Sequence, residues 1–317
     1  MSLVDILVSA VLPVVVVAAL GYGVGRIQGI DSDPIAAVTV HVLTPALAFH
    51  SIATTELSGG TLARIVGGLV AFVVVMTVVA ELAGRLAGIE EPFLSALVLL
   101  VVFPNSGNFG IPLSEFAFGA VGRSAALVYM TGEAVLMYTV GVYVAARSGV
   151  ASWTAGVRRV ATVPLVYAVL AALAGRALGL VPPVDSTAME TVQLVGDAAI
   201  PMMLLVLGIE LARTDYGATF RAVGTATVLK MGVAPVVAIG LALALGFGDA
   251  TVARTFVVES AAPSAVTSLV LLIEFGDTDP VDGVTVAEFA STVILVSVVL
   301  SVPILTVLIA LLRAGIV

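Results

Sequence analysis

The densest chemistry in the chain lies in Phe103-Pro104-Asn105-Ser106-Gly107-Asn108-Phe109-Gly110-Ile111-Pro112, inside an apolar run where a helix would be expected. Its two prolines remove backbone donors and clash with the preceding turn, and its two glycines loosen what remains. The run reads as a broken helix with unwound backbone. At membrane depth such backbone is tolerated only where protein or a watery cavity surrounds it. Asn105 and Asn108 add side-chain donors and acceptors, and the half-helix beyond the break turns its partly positive N-terminus toward the cavity. That combination suits a carboxylate. A second interrupted run, Glu259-Ser260-Ala261-Ala262-Pro263-Ser264, occupies the matching place in the other half of the chain. Paired interruptions of this kind point to a transport site. A purely structural kink is the plainer alternative for the first run, and the companion break weighs against it.

Ionisable residues inside the apolar runs each cost about 2.5–3.5 kcal/mol at a bilayer centre unless paired or hydrated. Glu259 precedes the second break and is a candidate to bind a cation or carry a proton. Glu133 is a candidate to face the cavity. Lys230, the chain's one lysine, could neutralise a carboxylate or a bound anion, or form a structural ion pair. Glu81 and Arg85, one helical turn apart, are expected to pair locally. His41 and His50 are expected to be packed or hydrogen-bonded. There is no cysteine, which excludes disulfides, thiolate metal sites and thiol nucleophiles. With two histidines, no metal site and no cofactor is expected. No Walker loop, Gly-x-Ser-x-Gly turn or His-Glu-x-x-His signature occurs, so neither an ATP-driven machine nor an enzyme is expected.

The elements that must position these residues follow from composition. Of 317 residues, 60% are hydrophobic and 11% charged, with a mean hydropathy of +1.21. Soluble domains carry about 25% charged residues. Ten apolar stretches, near 3–25, 34–53, 62–87, 93–117, 121–147, 160–180, 187–212, 217–247, 250–275 and 284–312, are each long enough to span. All should be helices, because lipid offers backbone groups no water. The net charge of −8 argues against a nucleic-acid partner and, with acidic loops such as Glu274 to Asp282, also suits a high-salt cell. The start lacks a basic stretch before the first apolar run, so a cleavable signal is not expected.

The two halves echo one another at a nearly constant offset. Pro13 and Arg26 match Pro164 and Arg176; Pro45 and Glu56 match Pro201 and Glu210; Arg64 matches Arg221, Pro104 matches Pro263, and Glu133 matches Glu288. Five spans per half is an odd number, so the second half enters the membrane inverted, which is the geometry of alternating access. The expected organisation is a first five-helix repeat over 1–148, a loop over 149–159 and an inverted repeat over 160–317. Arg147, Arg158 and Arg159 place that loop in the cytoplasm. Both termini of this multi-pass cell-membrane protein would then be extracellular.

The run from Pro104 to Pro112, a Pro-Asn start closing on Gly-Ile-Pro, resembles the auxin efflux carrier family. Leu20-Gly21-Tyr22-Gly23 and Ala262-Pro263-Ser264-Ala265 with Thr267 and Ser268 are similar to its first- and ninth-span motifs. The resemblance covers essentially the whole chain. It implies a fold like the sodium–bile acid symporters: an all-α membrane protein of ten transmembrane helices in a 5+5 inverted repeat, with broken helices 4 and 9 crossing at their prolines. Spans one, two, six and seven would form a scaffold and the others a moving domain, and dimerisation through the scaffold is compatible with it. Glu133, ahead of Met137-Tyr138-Thr139, falls where the plant members carry a glutamine, a departure that counts against plant-like auxin specificity.

The expectation is therefore a secondary active transporter or facilitator of a small organic anion, a carboxylate, working by an elevator motion in membrane lipid. Pro104, Asn105, Gly107, Asn108, Gly110, Pro112, Glu133, Ser260, Pro263 and Ser264 would line the substrate site, and Glu259 and Lys230 would couple transport to a sodium ion or a proton. The rival readings are a sodium/proton exchanger whose cargo is the ion itself and a non-transporting membrane sensor.

Overall fold

A computed structural model describes residues 3–55, 57–147, 162–212, 220–277, 279–281 and 283–316. The expected loop 149–159 lies outside the described residues, as do Glu56, Arg158, Arg159, Arg213 and Asp282 and the side chain of Arg221. The described chain is an all-helical membrane protein. Its helices are α1 (Val4–Gln28), α2 (Asp33–Thr54), α3 (Gly59–Leu86), α4 (Phe93–Val102), α5 (Ser106–Ala145), α6 (Pro164–Ala177), α7 (Thr187–Ala212), α8 (Ala222–Leu245), α9 (Ala250–Ala261), α10 (Val266–Phe275) and α11 (Val286–Ile316). Seven of these, α1, α2, α3, α5, α7, α8 and α11, are long and apolar enough to cross a membrane, while α4, α6 and α10 are shorter apolar helices.

Local sequence explains where helices start and bend. Ser58 accepts from the Thr61 amide at 3.1 Å and starts α3; Asp249 caps α9; Thr285 and Glu288 form a reciprocal capping box on α11. Pro13, Pro45, Pro112 and Pro235 each stand two residues after a wide π turn, at Leu7–Val11, Thr39–Leu43, Ser106–Gly110 and Leu229–Val233. A proline cannot donate and its ring crowds the carbonyl four residues back. Widening the preceding turn relieves both without breaking the helix.

Two packing features depend on glycine. α1 and α7 touch backbone to backbone: a side chain at Gly21 would meet the main chain of Leu205, one at Gly25 would meet Ile209, and one at Gly208 would overlap the Ala18 carbonyl. Small residues four apart permit such contact in membranes. Within α5, Gly119 adopts φ 68° and ψ −155° and turns the chain back on itself. A Cβ at Gly122 would meet the Ser114 carbonyl, and Arg123 pairs with Glu115 across the turn at 2.9 Å. The expected local pair of Glu81 and Arg85 is present at 2.7 Å.

The helices interrupted by Pro104 and Pro263 meet at their breaks. Pro104 and Ser264 form an isolated antiparallel bridge, in which the Asn105 amide donates to the Pro263 carbonyl at 2.6 Å and the Ala265 amide to the Phe103 carbonyl at 3.1 Å.

The α1–α7 contact makes a matched test. Gly208→Val should lower the melting temperature in detergent sharply, since overpacking of a core typically costs about 1–3 kcal/mol and here the obstacle is backbone. Gly23→Ala, where a Cβ meets nothing within 4 Å, should leave it nearly unchanged. Equal melting temperatures for the two would mean that α1 and α7 are not in this contact.

Candidate functional site

The unwound stretch is shorter than its prolines and glycines imply. Helix α4 ends at Val102, Phe103 is extended, and α5 begins at Ser106 with Asn105 as its cap. Pro112 sits within α5, two residues after the wide π turn that accommodates it. Gly107 and Gly110 serve close packing instead: a side chain at 107 would meet Met130, and one at 110 would overlap the Glu259 carboxylate.

Ending a helix inside an apolar body strands its last carbonyls, and here the other half of the chain satisfies them. Ser268 Oγ donates to the Leu99 carbonyl at 3.3 Å, Ser264 Oγ to Leu100 at 2.7 Å and Lys230 Nζ to Val101 at 3.3 Å. Lys230 is fully buried. Its cation lies at the negative end of α4, the favourable end for positive charge. It is also within electrostatic reach of Glu133.

On the far side of the break, Asn105 Oδ1 accepts from the Asn108 amide at 3.1 Å, and the Asn105 carbonyl accepts from Gly110 at 2.9 Å. The acceptor role fixes the amide's orientation, which leaves Asn105 Nδ2 as a buried donor without a partner among the described residues. Ser106 Oγ donates to Glu133 Oε2. The turn at Gly119 brings these two residues of α5 together. Glu133 is 3% exposed, and its Oε1 is a buried acceptor without a partner among the described residues.

A cavity of about 350 Å³ borders this group, in the size range of small-molecule sites. Pro104, Asn105, Ser106, Gly107, Asn108 and Glu133 line it. Opposite them stand His41 and Thr44 of α2 and Thr162 to Leu165 at the start of α6. The cavity thus reaches the end of the bundle where α5 finishes and α6 begins. Away from it, Ser124 Oγ donates to the Ser51 carbonyl at 3.2 Å and ties α5 to α2. His41 bonds the Ala37 carbonyl through Nδ1 at 2.9 Å; a carbonyl only accepts, so Nδ1 carries the proton and Nε2 remains available.

The expected site residues thus divide. Pro104, Asn105, Gly107, Asn108 and Glu133 line the cavity; Gly110, Pro112, Ser260, Pro263 and Ser264 do not. Gly110, Pro263 and Ser264 serve the crossing itself, and Ser260 Oγ lies 3.1 Å from the Tyr129 hydroxyl. Glu259, fully buried, accepts from Ser114 Oγ at 2.5 Å through Oε1, and its Oε2 has no partner among the described residues. Sequence reasoning did not single out Ser106 or Thr162; it expected His41 to be packed or hydrogen-bonded, and His41 is hydrogen-bonded to Ala37 while also lining the cavity. Met130, Glu133, Ala134, Met137 and Tyr138 recur at helical spacing, so this wall of the cavity was readable as one face. Among the described residues no group of three or more His, Cys, Asp or Glu could hold a metal ion.

Two comparisons bear on this arrangement. A family model described as "Membrane transport protein" matches the chain twice, over residues 6–154 and 154–309. A protein of Methanothermobacter thermautotrophicus (strain Delta H) described as an uncharacterized transporter is 27% identical over 298 residues, covering 90% of this chain and 93% of the relative.

The buried charges should behave as a unit. Lys230→Met strips the Val101 carbonyl of its donor and Glu133 of a nearby cation, and should destabilise the protein by about 1–3 kcal/mol, the usual cost of leaving a buried polar group unpaired. Adding Glu133→Gln should recover at least about 1 kcal/mol, within the range seen for coupled neighbours. Strict additivity in thermal unfolding of the single and double variants would mean the two charges do not communicate.

Proposed function

The chain belongs to the membrane transport protein family, the auxin efflux carriers, and from that membership we propose that it is a secondary active transporter, or facilitator, of a small organic anion. The observation that carries the proposal is the cavity at the first break, bordered by the orphan donor of Asn105 and by the N-terminus of α5. A carboxylate would accept from Asn105 Nδ2 and lie at the positive end of the helix dipole. Asn108 would hold the capped turn in shape.

The accompanying architecture is ten crossings in a 5+5 inverted repeat, 1–148 and 160–317, with α4 and the first half of α5 as one crossing and α9 with α10 as its counterpart. Tandem matches of the family model support it, as does the antiparallel bridge between the two breaks. With the 149–159 loop in the cytoplasm and both termini outside, the cavity reaches the inner face. Elevator motion would carry the crossing past α1, α2, α6 and α7 and expose the same cavity outside. The Ser124–Ser51 contact would then be an outer latch of the inward-facing state.

Glu259 supports a second reading, in which a sodium ion or a proton is coupled or is itself the cargo. Its carboxylate is buried beside Gly110 with one oxygen unengaged among the described residues. Ion flux in the absence of any organic acid would favour that reading.

Transport measured in proteoliposomes with a panel of small carboxylates, with and without sodium and proton gradients, tests the site. Asn105→Ala removes the donor and the cap; the cap is worth about 1 kcal/mol, too little to unfold the protein, yet uptake should fall to background. Asn105→Asp keeps a capping oxygen and loses the donor, so it should also be inactive. Wild-type uptake by a folded Asn105→Asp protein would rule out Asn105 as the anion's partner.

A further inference from the structure

Away from the cavity, a second group of buried polar atoms lies where α2 meets α5. His50 and Ser51 belong to α2, Arg123 and Ser124 to α5. Ser124 Oγ donates to the Ser51 carbonyl at 3.2 Å, so the two neighbouring pairs of residues face one another. His50 is 7% exposed, and its Nε2 has no partner among the described residues; the same holds for Arg123 Nε. The helices packed on this part of α2 are α5, α6 and α7, and each brings charge. From α5, Arg123 lies within electrostatic reach of His50 and is paired with Glu115 at 2.9 Å. From α7, the Asp197 carboxylate is also within reach. From α6, Arg176 donates to the Ile52 and Thr55 carbonyls at 3.2 and 2.8 Å and is engaged at the end of α2.

Resting on the elevator reading above, we propose that His50 is a proton-operated release for the Ser124–Ser51 contact, so that acidity on the outer side favours the outward-facing state. Arg123 travels with the moving body, whereas Asp197 and Arg176 stay with the scaffold that carries His50. A neutral imidazole can rest beside Arg123. A proton on it sets two cations against one another across the boundary, in a place with little water to screen them. Its attraction to Asp197 acts within the scaffold and holds nothing shut, and Glu115 is turned to Arg123. The latch is a single hydroxyl-to-carbonyl hydrogen bond, a contact of modest net strength. Once the bodies part, the imidazolium meets water and is clear of Arg123, so protons shift the population toward the open state. Histidine is the side chain whose charge ordinarily changes between about pH 5 and 8.

The chain has no cysteine, so one engineered thiol can report the opening. Ser51→Cys keeps the carbonyl that Ser124 uses and replaces a hydroxyl without a partner among the described residues, at a position fully buried while the latch is closed. Val184→Cys, 58% exposed between α6 and α7 at the same end of the bundle, is the open reference. The full chain in proteoliposomes of determined orientation is treated with a membrane-impermeant maleimide on the outer side at about pH 7.5 and about pH 5.5. Dividing the Ser51→Cys rate by the Val184→Cys rate at each pH cancels the thiol's own titration. This relative rate should rise at least about fivefold on acidification, the low end of ordinary coupling between sites. His50→Gln should flatten the rise, and His50→Lys, with its charge fixed, should give the fast rate at both pH values, melting temperatures confirming folded proteins. A relative rate indifferent to pH overturns the proposal, and so does a rise that survives in folded His50→Gln. If neither His50 variant folds, Arg123→Gln removes the repelling charge instead and should flatten the rise likewise. Labelling that occurs but ignores pH removes only this inference. Labelling absent at both pH values, even with the carboxylate panel on both sides of the membrane, removes the elevator reading as well.

Discussion

Two helices end in the middle of an apolar body, and lipid offers their stranded backbone groups nothing to bond. The rest of the structure depends on how that demand is met. The breaks at Pro104 and Pro263 satisfy each other through a two-bond antiparallel bridge, and the terminal carbonyls of α4 draw on Lys230, Ser264 and Ser268. Each partner comes from the second half of the chain. The halves are thus bound to one another beside the cavity. The same arrangement aims the N-terminal end of α5 at the cavity, where its dipole favours an anion.

The small residues around the crossing follow from the same demand. Gly110 stands where any side chain would displace the Glu259 carboxylate, and Gly107 where one would push Met130. Ser114 donates to Glu259, and Ser106 to Glu133. Buried carboxylates are tolerated when hydrogen-bonded and near a counter-charge. Serine supplies the bonds at little volume, and Lys230 lies within electrostatic reach of Glu133. The crossing is therefore a compact polar core inside an apolar shell. Asn105 Nδ2, Glu133 Oε1 and Glu259 Oε2 are its atoms without a partner among the described residues.

Much of this was legible in the sequence, and the remainder was not for identifiable reasons. Proline at 104 announced a break because it carries no donor, while the capping role of Asn105 showed only in the structure. The same logic overextended the break to Pro112, since a widened turn at Ser106–Gly110 accommodates that proline without interrupting the helix. The glycines at 107 and 110 looked like flexibility and proved to be clearance, a distinction that depends on what packs against them. Glu133 was visible as a costly buried charge. Its bond to Ser106 was not, because that contact needs the chain to reverse at Gly119, and one glycine in a long apolar run carries no such message. The caps on α4 were hidden for a similar reason: each joins residues more than a hundred positions apart, and only the crossing brings them together.

The charges at this core also constrain what can move with it. Carrying net charge across a membrane costs about 2.3 kcal/mol per elementary charge per 100 mV, besides the larger cost of desolvation. With both carboxylates ionised and Lys230 protonated, the trio sums to one negative charge. If the crossing moves with its solute, as proposed, each negative charge the solute adds must be offset by a coupled cation or by protonation of a carboxylate.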